Sequence, residues 1–240
     1  MAMWNPWRGC HRCSEGCRFC YIHKGDARRG VDTGDIRPSA KFDAPLGMKG
    51  NQTVYVCFSS DFLLPEADAW RPRCWQIMRR RPDLHFLFLT KRIHRLEDCL
   101  PSDWGSGYEN VTIGCTVEHQ AAARERLPIF TRVPIRHRNI VCQPMLGPMD
   151  LTGWLEGTEL VIAGGEADRN ARPLDYNWVL ELRRQCVQAG VAFQFRQCGT
   201  YFLKDGVRYR LKTRDLAWQA RRAGIDYAPQ KKETTAPGGL

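Results

Sequence analysis

The residues best suited to chemistry lie near the N-terminus. Gly9 to Tyr21 reads Gly-Cys-His-Arg-Cys-Ser-Glu-Gly-Cys-Arg-Phe-Cys-Tyr and holds Cys10, Cys13, Cys17 and Cys20, four of the eleven cysteines. The gaps between them are two, three and two residues. A single thiol can be a small apolar filler. Four so close together point instead to a metal or an iron–sulfur cluster. A four-thiolate zinc site normally uses two Cys-x-x-Cys knuckles with a spacer of roughly 12 to 20 residues. Here that spacer is three, which crowds four thiolates around one tetrahedral ion. Iron–sulfur clusters accept tight cysteine runs. A two-cluster ferredoxin needs a second run, and the chain has none. The spacing favours one [4Fe-4S] cluster held by three cysteines, with one iron left open.

Composition sets the frame for that loop. The 240 residues are 43% hydrophobic, enough for one large domain with a real core. Lys and Arg number 36 against 26 acids, a formal charge of +10. A basic balance of this size suits nucleic acid or another polyanion. No signal peptide opens the chain, and no apolar run approaches the ~18 residues of a membrane span. A cytosolic protein without a membrane partner is expected. Cysteines there serve metal or redox chemistry rather than a disulfide framework. Cys57, Cys74, Cys99, Cys115, Cys142, Cys186 and Cys198 are scattered and read as core thiols.

The elements that must position the loop follow in a regular rhythm. Residues 4–9 hold too much Trp, Pro and Gly for a helix and suit a short strand that feeds the loop. A short charged helix follows Tyr21. Apolar strands are expected at 53–58, 85–89, 111–115, 138–142, 159–163 and 191–195. Helices are expected at 70–81, 93–100, 118–130 and 176–189, the last capped by Gly190. Apolar strands alternating with helices mean parallel strands covered by helices. Six or seven such units fit an α/β fold, a full or partial (βα) TIM-type barrel. An open doubly wound sheet is the competitor. The barrel spans about 1–200. Residues 201–229 form a polar, basic extension with a helix at 211–223, and 230–240 read as a disordered tail.

Parallel barrels place their sites at the C-terminal strand ends. The first end carries the cysteine loop. The next carry Ser59-Ser60-Asp61, Thr90-Lys91-Arg92, Thr116 with Glu118, Gln143-Pro144, Gly164-Gly165-Glu166 and Arg196-Gln197-Cys198-Gly199. Each alone has a bland reading: Asp61 as a helix cap, Lys91 and Arg92 as solvated cations, Glu166 as a loop salt bridge. Together they put donors, acceptors and both charges around one cavity mouth.

Cys13-x-x-x-Cys17-x-x-Cys20 matches the radical S-adenosylmethionine (radical SAM) signature, with aromatic Phe19 where that superfamily often sets a ring against adenine. A closer resemblance rests on Trp4 to Cys10 and on Ser14 to Tyr21. It continues at Ser59-Ser60-Asp61, at Leu89 to Arg92, at Asn110 to Gly114 and at Gln143 to Pro148. Gly164-Gly165-Glu166 with Ala171-Arg172-Pro173, and Phe193 to Gly199, complete it. Over about residues 3 to 200 the chain resembles the phage-associated three-Cys-motif family, radical-SAM-like proteins of unassigned function. That family spaces its cysteines six then two, which selects Cys10, Cys17 and Cys20. The general signature selects Cys13 in place of Cys10. The sequence departs from the family at Gln143, where Glu is common, and at Cys198, where Trp is common.

The resemblance implies an enzyme with a [4Fe-4S] cluster and S-adenosylmethionine as cofactors, and an external electron donor. It implies that the open iron chelates the amino and carboxylate groups of S-adenosylmethionine. Reductive cleavage then yields a 5′-deoxyadenosyl radical. Ser59, Ser60 and Asp61 would meet the methionine amino group, Lys91 or Arg92 its carboxylate, and Thr116 and Glu118 the ribose. Gly164 and Gly165 permit close backbone approach to a ligand, and Glu166 adds an acceptor. No residue is assigned as hydrogen donor, acid or base. The substrate is not named. The arginines of 28–29, 79–81, 183–184 and 221–222 make nucleic acid the first candidate, and Trp70, Trp75 and Trp178 are ring candidates for stacking or core. A family partner protein is a further expectation. Two rival readings stay open: a zinc-structured nucleic-acid-binding module, and an iron–sulfur sensor without catalysis.

Overall fold

The computed structural model describes residues 2–230. The chain opens with β1 (Ala2–Trp4) and the short β2 (Trp7–Arg8), then the cysteine loop. Helix α1 (Tyr21–Arg28) follows directly, and β3 (Arg37–Pro38) pairs antiparallel with β2. The repeating part is β4 (Gln52–Val56), α2 (Arg71–Arg80), β5 (Leu84–Thr90), α3 (Leu96–Cys99), β6 (Val111–Thr116), α4 (Gln120–Arg132), β7 (His137–Cys142) and β8 (Leu160–Gly164). Then come β9 (Leu174–Asp175), α5 (Tyr176–Ala189) and β10 (Ala192–Gln197). The extension is β11 (Tyr201–Lys204), β12 (Val207–Arg210) and α6 (Leu216–Arg222).

Seven strands form one sheet in the order β1-β4-β5-β6-β7-β8-β10, parallel throughout. The sheet curls into a half-barrel. It stays open between β1 and β10, so the fold is the partial member of the expected pair. The doubly wound alternative is excluded, because strand order runs with chain order.

One face of each strand lies under the helices. Val54, Val56, Phe86, Phe88, Ile113, Ile140, Val161, Phe193 and Phe195 are all buried there. Phe88 meets Trp75 of α2, and Phe195 meets Tyr176 of α5. On the other face Tyr55, Leu87, Leu89 and Ile162 are only half-buried, while Gln194 and Arg196 are exposed. The strands read as apolar on both faces. In β6 and the second half of β7 both faces are buried, while in β4, β5 and β10 only the helix-covered face is sealed.

Most elements fall within one or two residues of expectation. Three differences have physical causes. Glu118 stands outside α4, because His119 accepts from the Ala122 amide and caps the helix there. The helix expected at 211–223 is a 3-10 turn at Thr213–Asp215 followed by α6. The β11–β12 hairpin was not anticipated. The tail expected at 230–240 lies, beyond Gln230, outside the described residues. Trp75 is buried, and Trp70 and Trp178 pack against the core. Those three rings are core. Among the described residues no helix is long and apolar enough to cross a membrane.

Candidate functional site

The cysteine loop has little regular structure beyond a 3-10 turn at Glu15–Cys17, so its shape must be imposed from outside. The strand ends supply the restraint. The Cys10 amide donates to the Thr33 carbonyl at 2.8 Å, and the Ser60 hydroxyl donates to the Gly9 carbonyl. Arg92 Nη2 donates to the His11 carbonyl at 2.7 Å. The His11 ring bonds Glu66 at 2.9 Å. Arg172 Nη2 donates to the Glu15 carbonyl at 2.9 Å. Lys24 of α1 pairs with Asp168, and the Tyr21 hydroxyl donates to the Phe58 carbonyl.

Three buried carboxylates stand behind these restraints. Asp61 accepts from Thr90 Oγ1 at 2.8 Å, from Arg92 Nη1 at 3.0 Å and from the Leu63 amide at 2.9 Å. Glu118 has no exposed surface; it pairs with Arg126 at 2.6 Å and accepts the Ser14 hydroxyl. Glu166 holds Arg172 through both carboxylate oxygens and also accepts the Arg172 amide at 2.9 Å. An ionised carboxylate this deep needs such partners. Arg92, Arg172 and Glu118 itself in turn hold the cysteine loop.

Most of the residues expected to meet a cofactor also have partners within the protein. Asp61 accepts four hydrogen bonds from the protein, Glu166 three and Glu118 two, so all three already serve the fold. Arg92 is engaged by Asp61 and the loop, and Ser60 by Gly9. Thr116 is buried, with its carbonyl bonded to Arg126 at 2.7 Å. The Gly164-Gly165 pair also serves the protein. A Cβ on Gly165 would stand 2.8 Å from Gly199 Cα and 2.7 Å from the Cys198 carbonyl, so two strand ends touch there. A Cβ on Gly164 would meet the Gln143 and Gln197 side chains. The guanidinium groups of Arg18 and Arg172 both lie over the Phe19 ring, at 5.3 and 5.8 Å from its centre.

What remains free at the mouth is a smaller set. The Ser59 hydroxyl, the Lys91 ammonium and the Gln143 amide have no hydrogen-bond partner among the described residues. The thiols are also accessible. Cys13 is exposed and Cys10, Cys17 and Cys20 are half-buried, while the other seven cysteines are all buried. Cys13 donates its S–H to Cys17. That bond, with help from the Lys91 charge and the Ser14 hydroxyl, pulls the Cys17 thiol down to about 4 against burial. Burial and the Asp61 carboxylate push Cys10 up to about 11, and Cys17 and Cys20 lie close enough to add to the rise. Among the described residues no three metal-ligating side chains converge on one point. A bound metal group would have to draw the thiols together. The donor set itself, three to four accessible thiols on one loop, fits an iron–sulfur cluster.

The residues missed in the sequence are the ones that hold the loop. Arg126 sits in an Arg- and Ala-rich helix and reads as solvated. His11, Ser14, Lys24, Glu66 and Asp168 carry no local signal, because their partners are distant in the chain. Gly16 has a clear reason in three dimensions: a Cβ there would stand 2.5 Å from Glu118 Cγ. A hollow of about 430 Å³ lined by Thr53, His85 and Asn110 lies at the opposite, N-terminal ends of the strands.

A family model described as "Protein of unknown function (DUF5131)" matches residues 1–226. The chain belongs to that family. The match covers the cysteine loop, the half-barrel and nearly all of the extension, so all three are parts of one family unit. No curated protein and no solved structure matches.

Proposed function

We propose that the cysteine loop holds one [4Fe-4S] cluster and that the protein is a radical S-adenosylmethionine enzyme. The observation that carries this reading is positional. The accessible thiols all sit on one braced loop at the C-terminal mouth of a parallel half-barrel, and every other cysteine is buried. Cys10, Cys17 and Cys20 would be the ligands, in agreement with the spacing of six then two. Cys13 would be a neighbour that hydrogen-bonds Cys17.

When bound, the cluster supplies the single electron that cleaves S-adenosylmethionine to methionine and a 5′-deoxyadenosyl radical. The chain's own groups orient that cofactor. Lys91, whose ammonium has no hydrogen-bond partner among the described residues and whose charge acts on Cys17, suits the methionine carboxylate. Ser59 and Gln143 suit the polar groups beside it. Asp61, Glu118 and Glu166, with their arginines, fix the loop against the strand ends. The electron must come from an external donor.

Anaerobic purification followed by iron, zinc and acid-labile sulfide analysis is the test. About four irons and four sulfides per chain are expected for one such cluster. Zinc without sulfide would establish the structural-zinc alternative. A reducible cluster whose EPR signal ignores added S-adenosylmethionine would leave a sensor or electron carrier.

A further inference from the structure

The arginines of the half-barrel are mostly neutralised. Arg29 pairs with Asp26, Arg79 with Asp103, Arg81 with Asp83 and Arg184 with Glu181. Each basic run of the half-barrel that points to a polyanion in the sequence thus has at least one arginine taken by an acid. The extension differs. Residues 201–230 carry seven cations against three acids, so a net +4 of the chain's +10 falls in one eighth of its length. Among the described residues no carboxylate pairs with Lys204, Arg208, Arg210, Lys212, Arg221 or Arg222. Of the three acids, Asp226 is bonded to the Phe195 amide, and Asp215 lies 3.8 Å from Arg214.

The same segment exposes its rings. Trp218 is 48% exposed and Tyr209 46%. The Arg208 guanidinium lies over the Tyr201 ring at 4.3 Å, and Arg222 over Trp218 at 4.6 Å. A guanidinium stacked this way is held in place while its N–H groups stay free. β12 is an edge strand with all four residues exposed. Arg208 and Arg210 share one face of it, about 6.8 Å apart at the usual rise. That is on the scale of successive phosphates in an extended single strand. Tyr201 also donates to the Arg169 carbonyl, and the Thr200 amide donates to the Glu166 carbonyl. The hairpin is thereby anchored to the loop that braces the cysteines.

From these observations we infer that the β11–β12 hairpin and α6 form a binding surface for single-stranded nucleic acid. Phosphates pair with Arg208, Arg210 and the neighbouring cations, and bases stack on the exposed rings. An acidic protein would need the charges but not the rings. A duplex hides its base faces. The inference does not depend on a bound cluster.

Fluorescence anisotropy with the full chain and a labelled oligouridylate tests it, titrated at several salt concentrations. Micromolar or tighter binding that weakens with salt is expected. A double Arg208→Ala, Arg210→Ala variant should bind at least about tenfold more weakly. It should also lose about 1.4 from the log–log salt slope, ~0.7 for each phosphate contact removed. Trp218→Ala should weaken binding at least about fivefold and leave the salt slope unchanged. Arg79→Ala, an exposed but paired arginine, should change nothing. All four positions are exposed, and a thermal melt confirms that each variant is folded. Any of three results would overturn the inference: no salt-sensitive binding by the parent chain, patch variants that bind like the parent, or a duplex bound as tightly as the single strand. Binding to phosphatidylserine vesicles with none to the oligonucleotide would assign the patch to a membrane surface instead.

Discussion

The barrel mouth and the C-terminal extension are both crowded with charge, and they use it in opposite ways. At the mouth the buried carboxylates Asp61, Glu118 and Glu166 are each matched to an arginine, and each pair reaches out to a group of the cysteine loop. In the extension every cation except Arg214 faces solvent with no acid paired to it among the described residues. Buried pairing fixes geometry and leaves little for a ligand. Unpaired exposure leaves the charge free but fixes nothing. The half-barrel thus invests its charge in positioning thiols, and the extension keeps its charge available to a partner.

The strongest way to break this contrast is to remove a thiol from the loop. Cys17→Ala and Cys20→Ala should each abolish iron and sulfide incorporation, while Cys13→Ala should retain both. Retention in Cys10→Ala with loss in Cys13→Ala would make Cys13 the third ligand.

Next come the braces. Glu118→Gln leaves Arg126 buried without its counter-charge, a change that typically costs about 3–5 kcal/mol. In a chain of this size that lowers Tm by about 6–20 °C. Breaking an exposed pair such as Arg79–Asp103 should cost about 0–1 kcal/mol and lower Tm by no more than about 4 °C. Calorimetry on both variants checks the comparison directly. Gly16→Ala should leave most of the fold intact but push the loop off Glu118, so it should lose cluster content before it loses stability.

Thiol chemistry sharpens the picture within the loop. In metal-free protein Cys17 is a thiolate at neutral pH, because its thiol is pulled down to about 4. Cys10, pushed up to about 11, stays protonated. Iodoacetamide should therefore modify Cys17 first, at a rate flat from about pH 8 to pH 5 and falling only below that. Mapping by mass spectrometry over that range is the check. In Cys13→Ala the rate at Cys17 should fall and move to higher pH, since the donated S–H is gone.

The smallest effect belongs to Lys24 and Asp168. Burial would raise the Asp168 carboxyl, but the Lys24 ammonium and the Asn170 amide outweigh it and hold it below the usual range. A depressed carboxyl stabilises the fold above its unfolded value of about 3.9 and loses that contribution as pH falls through its folded value. Lys24→Met should remove this part of the acid sensitivity, costing stability at pH 7 and less at pH 3. A melt at pH 7 and pH 3 measures it.

The sequence shows the frame of the molecule more readily than its wiring. Phe86 to Leu89 and Val111 to Cys115 are apolar runs that only a helix-covered parallel sheet accommodates, so the strands and their polar ends are legible. The partners are not. Glu118 meets Ser14 across 104 positions, and Arg172 meets Glu15 across 157. The same polar strand ends suit a bound cofactor or the protein's own loop, and no local pattern distinguishes the two. The hairpin had a local signal that composition masked. Asp205-Gly206 lies between two β-prone runs, and both residues take positive φ, 52° and 75°, as a two-residue hairpin turn requires.

The most direct measurement of the central claim is product analysis of the anaerobically reconstituted protein. It is reduced by dithionite in the presence of S-adenosylmethionine and assayed by chromatography for 5′-deoxyadenosine. The reading requires 5′-deoxyadenosine from the parent chain and from Cys13→Ala, and none from Cys17→Ala. A fully loaded, reducible cluster that forms none would contradict it.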